Sequence, residues 1–252
     1  MRAVITGAAS GIGAAVARRL RADGGPDAQL LLVDRAAAAL QGVAAELDAT
    51  ALVADLSSPD AGEVVAAAAR EALGGLDVLI SNAGVAISAP LAELSLADWE
   101  RTYAVNTRAT WLLAKAAHPM LRESRGVLVA TASVAAREPA APVGAYASSK
   151  AALVMLVRQL AYEWGPDGIR CNCVSPGTTH TGMTDATYSD PALRAERASH
   201  LPLRRVSEPA EIAAVIAFLA GPDASYVTGV DVLVDGGLST SLLPAVRGLS
   251  PP

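Results

Sequence analysis

The sequence predicts a doubly wound α/β fold, one parallel sheet with helices on both faces. Two observations carry this. Short β-like runs alternate with longer helical patterns, at residues 3–6, 29–33, 51–54, 76–80, 126–131, 169–174 and 230–234. Most of these runs are apolar at nearly every position, as strands covered on both faces are. Strand–helix units of this length join parallel neighbours through crossover helices.

The first run leads into Thr6-Gly7-Ala8-Ala9-Ser10-Gly11-Ile12-Gly13, which opens the first helix. The second run ends at Asp34, followed by Arg35, and the third at Asp55 and Leu56. Ser58 before Pro59 predicts a helix N-cap with proline at the first helical position. The fourth run ends at Asn82-Ala83-Gly84, and Ser95 with Asp98 resembles a capping box. A long helix carrying Asn106 then precedes the fifth run, and Ser133 lies just beyond that run. Tyr146 and Lys150 begin the next helix. In the sixth run Cys171 and Cys173 alternate, so both face one side of the strand; they read as a buried structural pair rather than a redox or metal site. Ser207 leads Pro209 and Glu211 into an apolar helix ending near Gly221-Pro222.

Two segments break the rhythm. Residues 178–206 form an insertion of mixed polarity, expected to act as a substrate lid, and residues 239–252 form a tail expected to be loosely ordered. With no linker, repeat or low-complexity block, residues 1–238 read as one domain. A chain of 252 residues that is 52% hydrophobic can bury a sizeable core. A net charge of −5 without a run of like charges argues against a nucleic-acid partner. Neither a membrane-length apolar stretch nor a signal-peptide pattern is visible, and the histidines show no metal-ligand spacing. The expectation is a cytoplasmic protein with no membrane partner and no metal.

The glycine loop lets backbone approach a pyrophosphate at a helix N-terminus, where unpaired N–H groups and the positive dipole end favour an anion. Its spacing is G-x-x-x-G-x-G rather than G-x-G-x-x-G. A carboxylate at Asp34 can accept both ribose hydroxyls of an adenosine and would repel a 2′-phosphate, which favours NAD. Arg35 beside it is the feature that would instead suit NADP. Asp55, with Leu56, would hold adenine, or else help start the following helix. Asn82-Ala83-Gly84 should face the glycine loop across the topological switch point.

Tyr146 and Lys150, four residues apart, share one helix face about 6 Å apart along the axis. With the Ser133 hydroxyl they can move a proton to or from an alcohol oxygen. A tyrosine titrates near ~10, so a base working near pH 7 needs its pKa lowered by about three, or ~4 kcal/mol. An ammonium about 4 Å away contributes ~4 kcal/mol at an effective dielectric of ~20.

TGAASGIG at 6–13, NAG at 82–84, Asn106, Ser133, the Tyr146-x-x-x-Lys150 pair and Pro176-Gly177, in this order, resemble the short-chain dehydrogenase/reductase family over nearly the whole chain. The resemblance implies a seven-stranded Rossmann-type sheet and a homotetramer or dimer packed through the Asn106 and Tyr146 helices. It implies Tyr146 as acid/base and Lys150 as the group that lowers its pKa and binds the nicotinamide ribose. Ser133 would hold the substrate oxygen, and Asn106 would anchor a water in the proton relay. Thr181 falls where the family contacts the carboxamide, with Pro176, Gly177 and Thr179 at the same end of the cofactor. Ser81 departs from the family, which commonly has asparagine there.

For the substrate, an alcohol or ketone, the expected contacts are Ser133, Ala135, Val143, Tyr146, Gly177, His180, Met183 and Tyr188. Met183, Tyr188, Leu193 and Leu201 form an apolar wall or pack the lid on itself. Arg137, Arg194 and Arg197 are candidates for a substrate anion, or ordinary surface charges. The segments 132–150 and 169–183, through Arg170-Cys171-Asn172 and Ser175-Pro176-Gly177, resemble the branch that includes 2,3-dihydro-2,3-dihydroxybenzoate dehydrogenase. His180 stands where that branch has an acidic residue. A cyclic alcohol or dihydrodiol, another secondary alcohol, and an NADPH-dependent ketone or 3-ketoacyl reduction are the enzymatic readings. A silent dinucleotide-binding sensor or scaffold, which would be expected to lack Tyr146 or Lys150, is the reading of another class.

Overall fold

A computed structural model describes residues 1–241. The strands are β1 Arg2–Thr6, β2 Gln29–Asp34, β3 Thr50–Val53, β4 Val78–Ser81, β5 Val127–Thr131, β6 Arg170–Pro176 and β7 Asp231–Val234. They form one all-parallel sheet in the order β3-β2-β1-β4-β5-β6-β7. The helices are α1 Gly11–Gly24, α2 Ala37–Leu47, α3 Ala61–Leu73, α4 Leu96–Tyr103, α5 Ala109–Ser124, α6 Tyr146–Trp164, α7 Asp185–Tyr188, α8 Pro191–Ser199 and α9 Pro209–Ala220. Among the described residues no helix is long and apolar enough to cross a membrane.

Successive side chains on a strand point to opposite faces, so a strand covered on both sides must be apolar at every position. On β1 and β2, Ala3, Ile5, Leu30 and Leu32 join the core under α1, α2 and α9. Val4, Leu31 and Val33 join the opposite core under α3, α5 and α6. Deleting one such side chain, as in Leu31→Ala, removes transfer energy and leaves a void, a loss of about 2–5 kcal/mol. Cys171 and Cys173 are both buried in the second of these cores, as the strand alternation predicts. Burial pushes the Cys171 thiol up to about 12 and the Cys173 thiol up as well, so both stay protonated.

Several boundaries move from their sequence positions for identifiable reasons. β6 continues two residues past 174 because Ser175 and Pro176 still pair with Leu233 and Val234 of β7. Ser58 and Pro59 do not begin α3. The Ser58 N–H closes a turn on the Asp55 carbonyl, its hydroxyl binds the Asp60 carboxylate, and the helix starts at Ala61. Ser95 does cap α4, accepting from the Asp98 N–H at 3.1 Å. The cap of α9 is Glu208 rather than Ser207, and the Glu208 N–H donates to the Glu211 carboxylate at 2.9 Å.

Ser207 is drawn elsewhere. Its hydroxyl pairs with that of Thr179 at 2.8 Å, and its backbone bonds Thr178 and His180. The two ends of the insertion are thereby stitched together, with α7 and α8 between them. Of the segment 239–252, Ser239 and Thr240 belong to a short 3-10 turn, and residues 242–252 lie outside the described residues.

Candidate active site

The sheet order reverses between β1 and β4, and a crevice opens beyond their carboxyl ends, where open α/β sheets bind ligands. Gly7 turns the chain at φ +67°, and a Cβ there would lie 2.9 Å from the Ala83 Cα. Only glycine satisfies both demands. Gly13 serves a different purpose from the expected ligand contact. Its missing Cβ, which would fall 2.1 Å from the Gly7 carbonyl oxygen, lets α1 lie against the loop. It does not line the crevice, whereas Gly7, Ser10, Gly11 and Ile12 do. Ser10 caps α1 without a side-chain bond, and no acidic residue occupies the first turn, so those N–H groups face the crevice without an anionic partner.

Asn82 and Thr6 knit the switch point. The Thr6 hydroxyl oxygen accepts from the N–H groups of Asn82 and Ala83 at 3.0 and 3.1 Å. The Asn82 amide donates to the Thr6 carbonyl and accepts from the Thr131 hydroxyl, joining β1, β4 and β5. Ala83 and Gly84 then line the crevice. Ser81, the departure from the family pattern, bonds the buried Thr110 hydroxyl at 2.8 Å and stays within the core.

Half-buried Asp34 accepts from Ala9 N–H at 3.1 Å and from Ala36 N–H at 3.0 Å, which aims its carboxylate at the loop. It lines both the main cavity of about 240 Å³ and an adjoining one of about 110 Å³. Arg35, Asp55 and Leu56 line the smaller cavity only. The Ser57 N–H, donating at 2.9 Å, holds the Asp55 carboxyl below its ordinary pKa, and Arg101 and Arg35 add to the effect. Ala54, Val85, Arg101 and Val105 complete this cavity and were missed in the sequence. Ala54 follows a strand end and was findable by that rule; Arg101 and Val105 gave no signal beyond helical spacing.

Tyr146, Lys150 and Ser133 meet in the main cavity, with Thr131 and Ala132 beside them. Lys150 is buried and donates to the Thr131 carbonyl at 2.7 Å, and burial brings its pKa down to about 8. Its Nζ lies 5.8 Å from the Tyr146 ring centroid. Burial pushes the Tyr146 phenol up, while the Ser133 side chain works downward. The sequence-based estimate, a lysine sufficient to bring the phenol near pH 7, thus omitted the opposing effect of burial.

Asn106 sits in a π turn, Ala104–Arg108, between α4 and α5. π turns recur at functional sites because the widened turn redirects a side chain. Its amide donates to the Val85 carbonyl at 2.9 Å and the Ser149 hydroxyl at 3.0 Å, and accepts from the Val85 N–H at 2.8 Å. Asn106 therefore clamps the β4 turn to α6.

Pro176, Gly177, Thr179 and Thr181 line the far wall, and Thr184, unanticipated, accepts from the Thr181 N–H at 2.9 Å. Of the expected substrate wall, Gly177 and Met183 reach the cavity with Ser133 and Tyr146. Ala135 and Val143 do not line it. His180 and Tyr188 turn into the lid instead. His180 Nε2 bonds Asp185 at 3.0 Å, its Nδ1 faces Arg194 at 3.4 Å, and its ring meets Tyr188 edge-on at 6.2 Å. Leu201 is buried and Leu193 exposed, so neither forms the wall. Arg137 and Arg194 are paired with Asp231 and Glu208, which leaves Arg197 among the arginines considered for a substrate anion. Arg170 caps the end of α9 through the Leu219 and Gly221 carbonyls, and Asn172 bonds Val227. Both serve the seam beneath β7, away from the cavity.

The family model described as enoyl-(acyl carrier protein) reductase matches residues 7–239. The chain is 39% identical over 241 residues to the meso-2,3-butanediol dehydrogenase of Serratia marcescens, covering 94% of each. A protein described as an NAD(P)-dependent gluconate 5-dehydrogenase from Beutenbergia cavernae, solved with NADP, aligns at TM-score 0.86 and 36% identity, covering 95% of this chain and 96% of that one. The 3-ketoacyl-(acyl-carrier-protein) reductase of Brucella melitensis, solved with NADH, aligns at TM-score 0.87 and 31% identity, covering 94% of this chain and 97% of that one.

Proposed function

Since the chain belongs to the short-chain dehydrogenase/reductase family, we propose that it interconverts an uncharged secondary alcohol and its ketone with NAD(H). The observation that carries this reading is the shared cavity: Ser133, Tyr146 and Lys150 line the same crevice as the glycine loop and Asp34. The residues fit a nicotinamide dinucleotide. The α1 N-terminus has no capping side chain or acidic group to compete with a pyrophosphate, and Gly7, Gly11 and Gly84 line the same crevice. Gly7, Ser10, Gly11 and Ile12 would hold the phosphates, Asp34 the ribose, and Asp55 and Leu56 the adenine. Pro176, Gly177, Thr179 and Thr181 would hold the nicotinamide end.

The bound dinucleotide would supply the hydride acceptor in the oxidising direction. The Ser133 hydroxyl would hold the substrate oxygen, and Tyr146 would take its proton. Lys150, with a pKa of about 8, is mostly protonated at pH 7, and its charge favours the phenolate form of Tyr146. The Thr131 carbonyl fixes that ammonium in place, and the Asn106 clamp sets α6 against the β4 turn.

Asp34 supports NAD, since a 2′-phosphate would meet its carboxylate, and exposed Arg35 is the opposing feature. The pairing of Arg137 and Arg194 speaks for an uncharged substrate and against an acyl-carrier thioester. A small diol, polyol or cyclic alcohol fits this description. Self-association through the exposed aromatic face of α4 and α5, and a cytoplasmic setting suited to two buried free thiols, belong to the same reading.

The test is NADH absorbance during incubation of the protein with NAD⁺ and a panel of diols, polyols and cyclic alcohols. Turnover by the wild type and at least about a thousandfold loss in Tyr146→Phe are expected, as for removal of a general base. No turnover across the panel, or equal turnover by the variant, would overturn the assignment.

A further inference from the structure

We propose that Arg137 is a positioning residue: its bridge to Asp231 sets the turn that presents the Ser133 hydroxyl to Tyr146. The inference rests on the oxidoreductase reading above, and begins from how Ser133 is held. On its upstream side the Ala132 N–H donates to the Val174 carbonyl at 2.7 Å, the last sheet bond before the turn. From Ser133 onward the chain is one compact unit. The Ser133 hydroxyl oxygen accepts from the Ala135 N–H at 3.1 Å, and the Ser133 carbonyl accepts from the Ala136 N–H at 2.9 Å. The Arg137 N–H then returns to the Val134 carbonyl at 3.0 Å. Whatever fixes Arg137 therefore fixes the far end of a unit whose near end is Ser133.

Beyond Arg137 the chain offers little support, because residues 139–142 are exposed. The tie is the guanidinium itself. Its Nε donates to Asp231 Oδ2 at 3.0 Å, and its Nη2 to the Asp231 carbonyl at 3.0 Å. Two donors of one planar group on two acceptors define an orientation as well as a distance. The Asp231 side chain is 0% exposed, although that of Arg137 is 41% exposed. The second carboxylate oxygen accepts from the buried Ser175 hydroxyl at 2.6 Å. A carboxylate so enclosed needs a counter-charge, and Arg137 is its ion-pair partner. Through this bridge the β7 strand sets the position of a turn that begins at β5.

The consequence at the reacting atoms runs through the Ser133 hydroxyl. Ser133 and Tyr146 line the same cavity, and the Ser133 side chain favours the phenolate against the effect of burial. Lys150 is a charged group facing the ring. A loosened turn would move the Ser133 hydroxyl relative to the phenol and leave Lys150 where the Thr131 carbonyl holds it.

The experiment compares wild type with Arg137→Met, Arg137→Lys and Asp231→Asn. Phenolate formation is followed by ultraviolet difference absorbance, with Tyr146→Phe in each background identifying the Tyr146 contribution. In Arg137→Met the Tyr146 midpoint should rise, and kcat for alcohol oxidation should fall about tenfold while KM for NAD⁺ stays within about twofold. Lysine can reach a carboxylate oxygen but not both acceptors at once, so Arg137→Lys should recover part of the loss. Asp231→Asn, uncharged and of the same shape, should reproduce Arg137→Met, and it decides the matter if the latter does not fold. An unchanged Tyr146 midpoint and kcat, with only a lower melting temperature, would reduce the bridge to a stabilising contact and overturn the proposal. If the wild type oxidises no alcohol, the oxidoreductase reading fails by itself, and the phenolate midpoints still decide the role of Arg137.

Discussion

Asp34 shows how much one side chain can decide at the end of a strand. Its carboxylate is held by Ala9 and Ala36 N–H groups, so it cannot swing away from an incoming ribose. A like charge about 4 Å away costs up to ~4 kcal/mol at an effective dielectric of ~20, less where solvent screens it. Asp34→Ala should therefore raise kcat/KM with NADP relative to NAD by about 10- to 100-fold, equivalent to about 1.4–2.8 kcal/mol. A wild type that already prefers NADP would sink this account. At this scale the sequence disclosed most of the crevice, because the glycine loop, Asp34, Ser133, Tyr146 and Lys150 sit at fixed offsets from strand ends. It misplaced Gly13, Ala135, Val143, His180 and Tyr188. Gly13 is required by helix–loop packing, and His180 and Tyr188 are claimed by Asp185, Arg194 and each other within the lid. Such competition for a side chain cannot be read from spacing.

Element boundaries show the same competition. Three serines offered themselves as helix caps, and Ser95 alone became one. Ser58 binds Asp60, and Ser207 was recruited by Thr178 and Thr179 to close the base of the lid. In its place Glu208 caps α9 with Glu211 answering it, and Arg205 pairs with the Glu211 carboxylate at 2.7 Å. Arg205 and the Glu208 N–H hold the Glu211 carboxyl at about 2, below its ordinary 4.5. A depressed folded pKa stabilises the fold fully above the unfolded value, and the contribution is lost as pH falls through the folded value. Because the Glu211 side chain is 38% exposed, solvent screening reduces the effect, and loss of the cap should cost about 1 kcal/mol. Urea denaturation of Glu211→Ala should show that deficit at pH 7 and a shrinking one as pH falls from about 4.5 to about 2. A deficit independent of pH would mean that helix propensity, not the ionised cap, sets it.

For the whole molecule, the face formed by α4 and α5 stands out. Trp99 stacks on Tyr103 at 5.1 Å between ring centroids, and Trp99 and Trp111 are 38% and 44% exposed. On α6, Met155 and Tyr162 are 61% and 85% exposed. Large aromatics left in water favour burial against a partner, and a second copy of the chain is the partner proposed for them. Trp111→Glu should weaken self-association by about 2 kcal/mol or more, close to 30-fold, seen as a smaller species in sedimentation at micromolar concentration. A wild type that sediments as a monomer would refute the self-association. By itself the sequence determined the sheet, its two covered faces and the chemical constellation, because strand alternation and turn chemistry are local properties that survive any arrangement of neighbours. Tertiary structure alone decided which polar groups were free to act. It set burial of the phenol against the effect of the Ser133 side chain, spent Arg137 on Asp231 94 residues away, and turned His180 into the lid. Hydrogen bonds and ion pairs join groups remote along the chain, so only the folded molecule shows which partners each has taken.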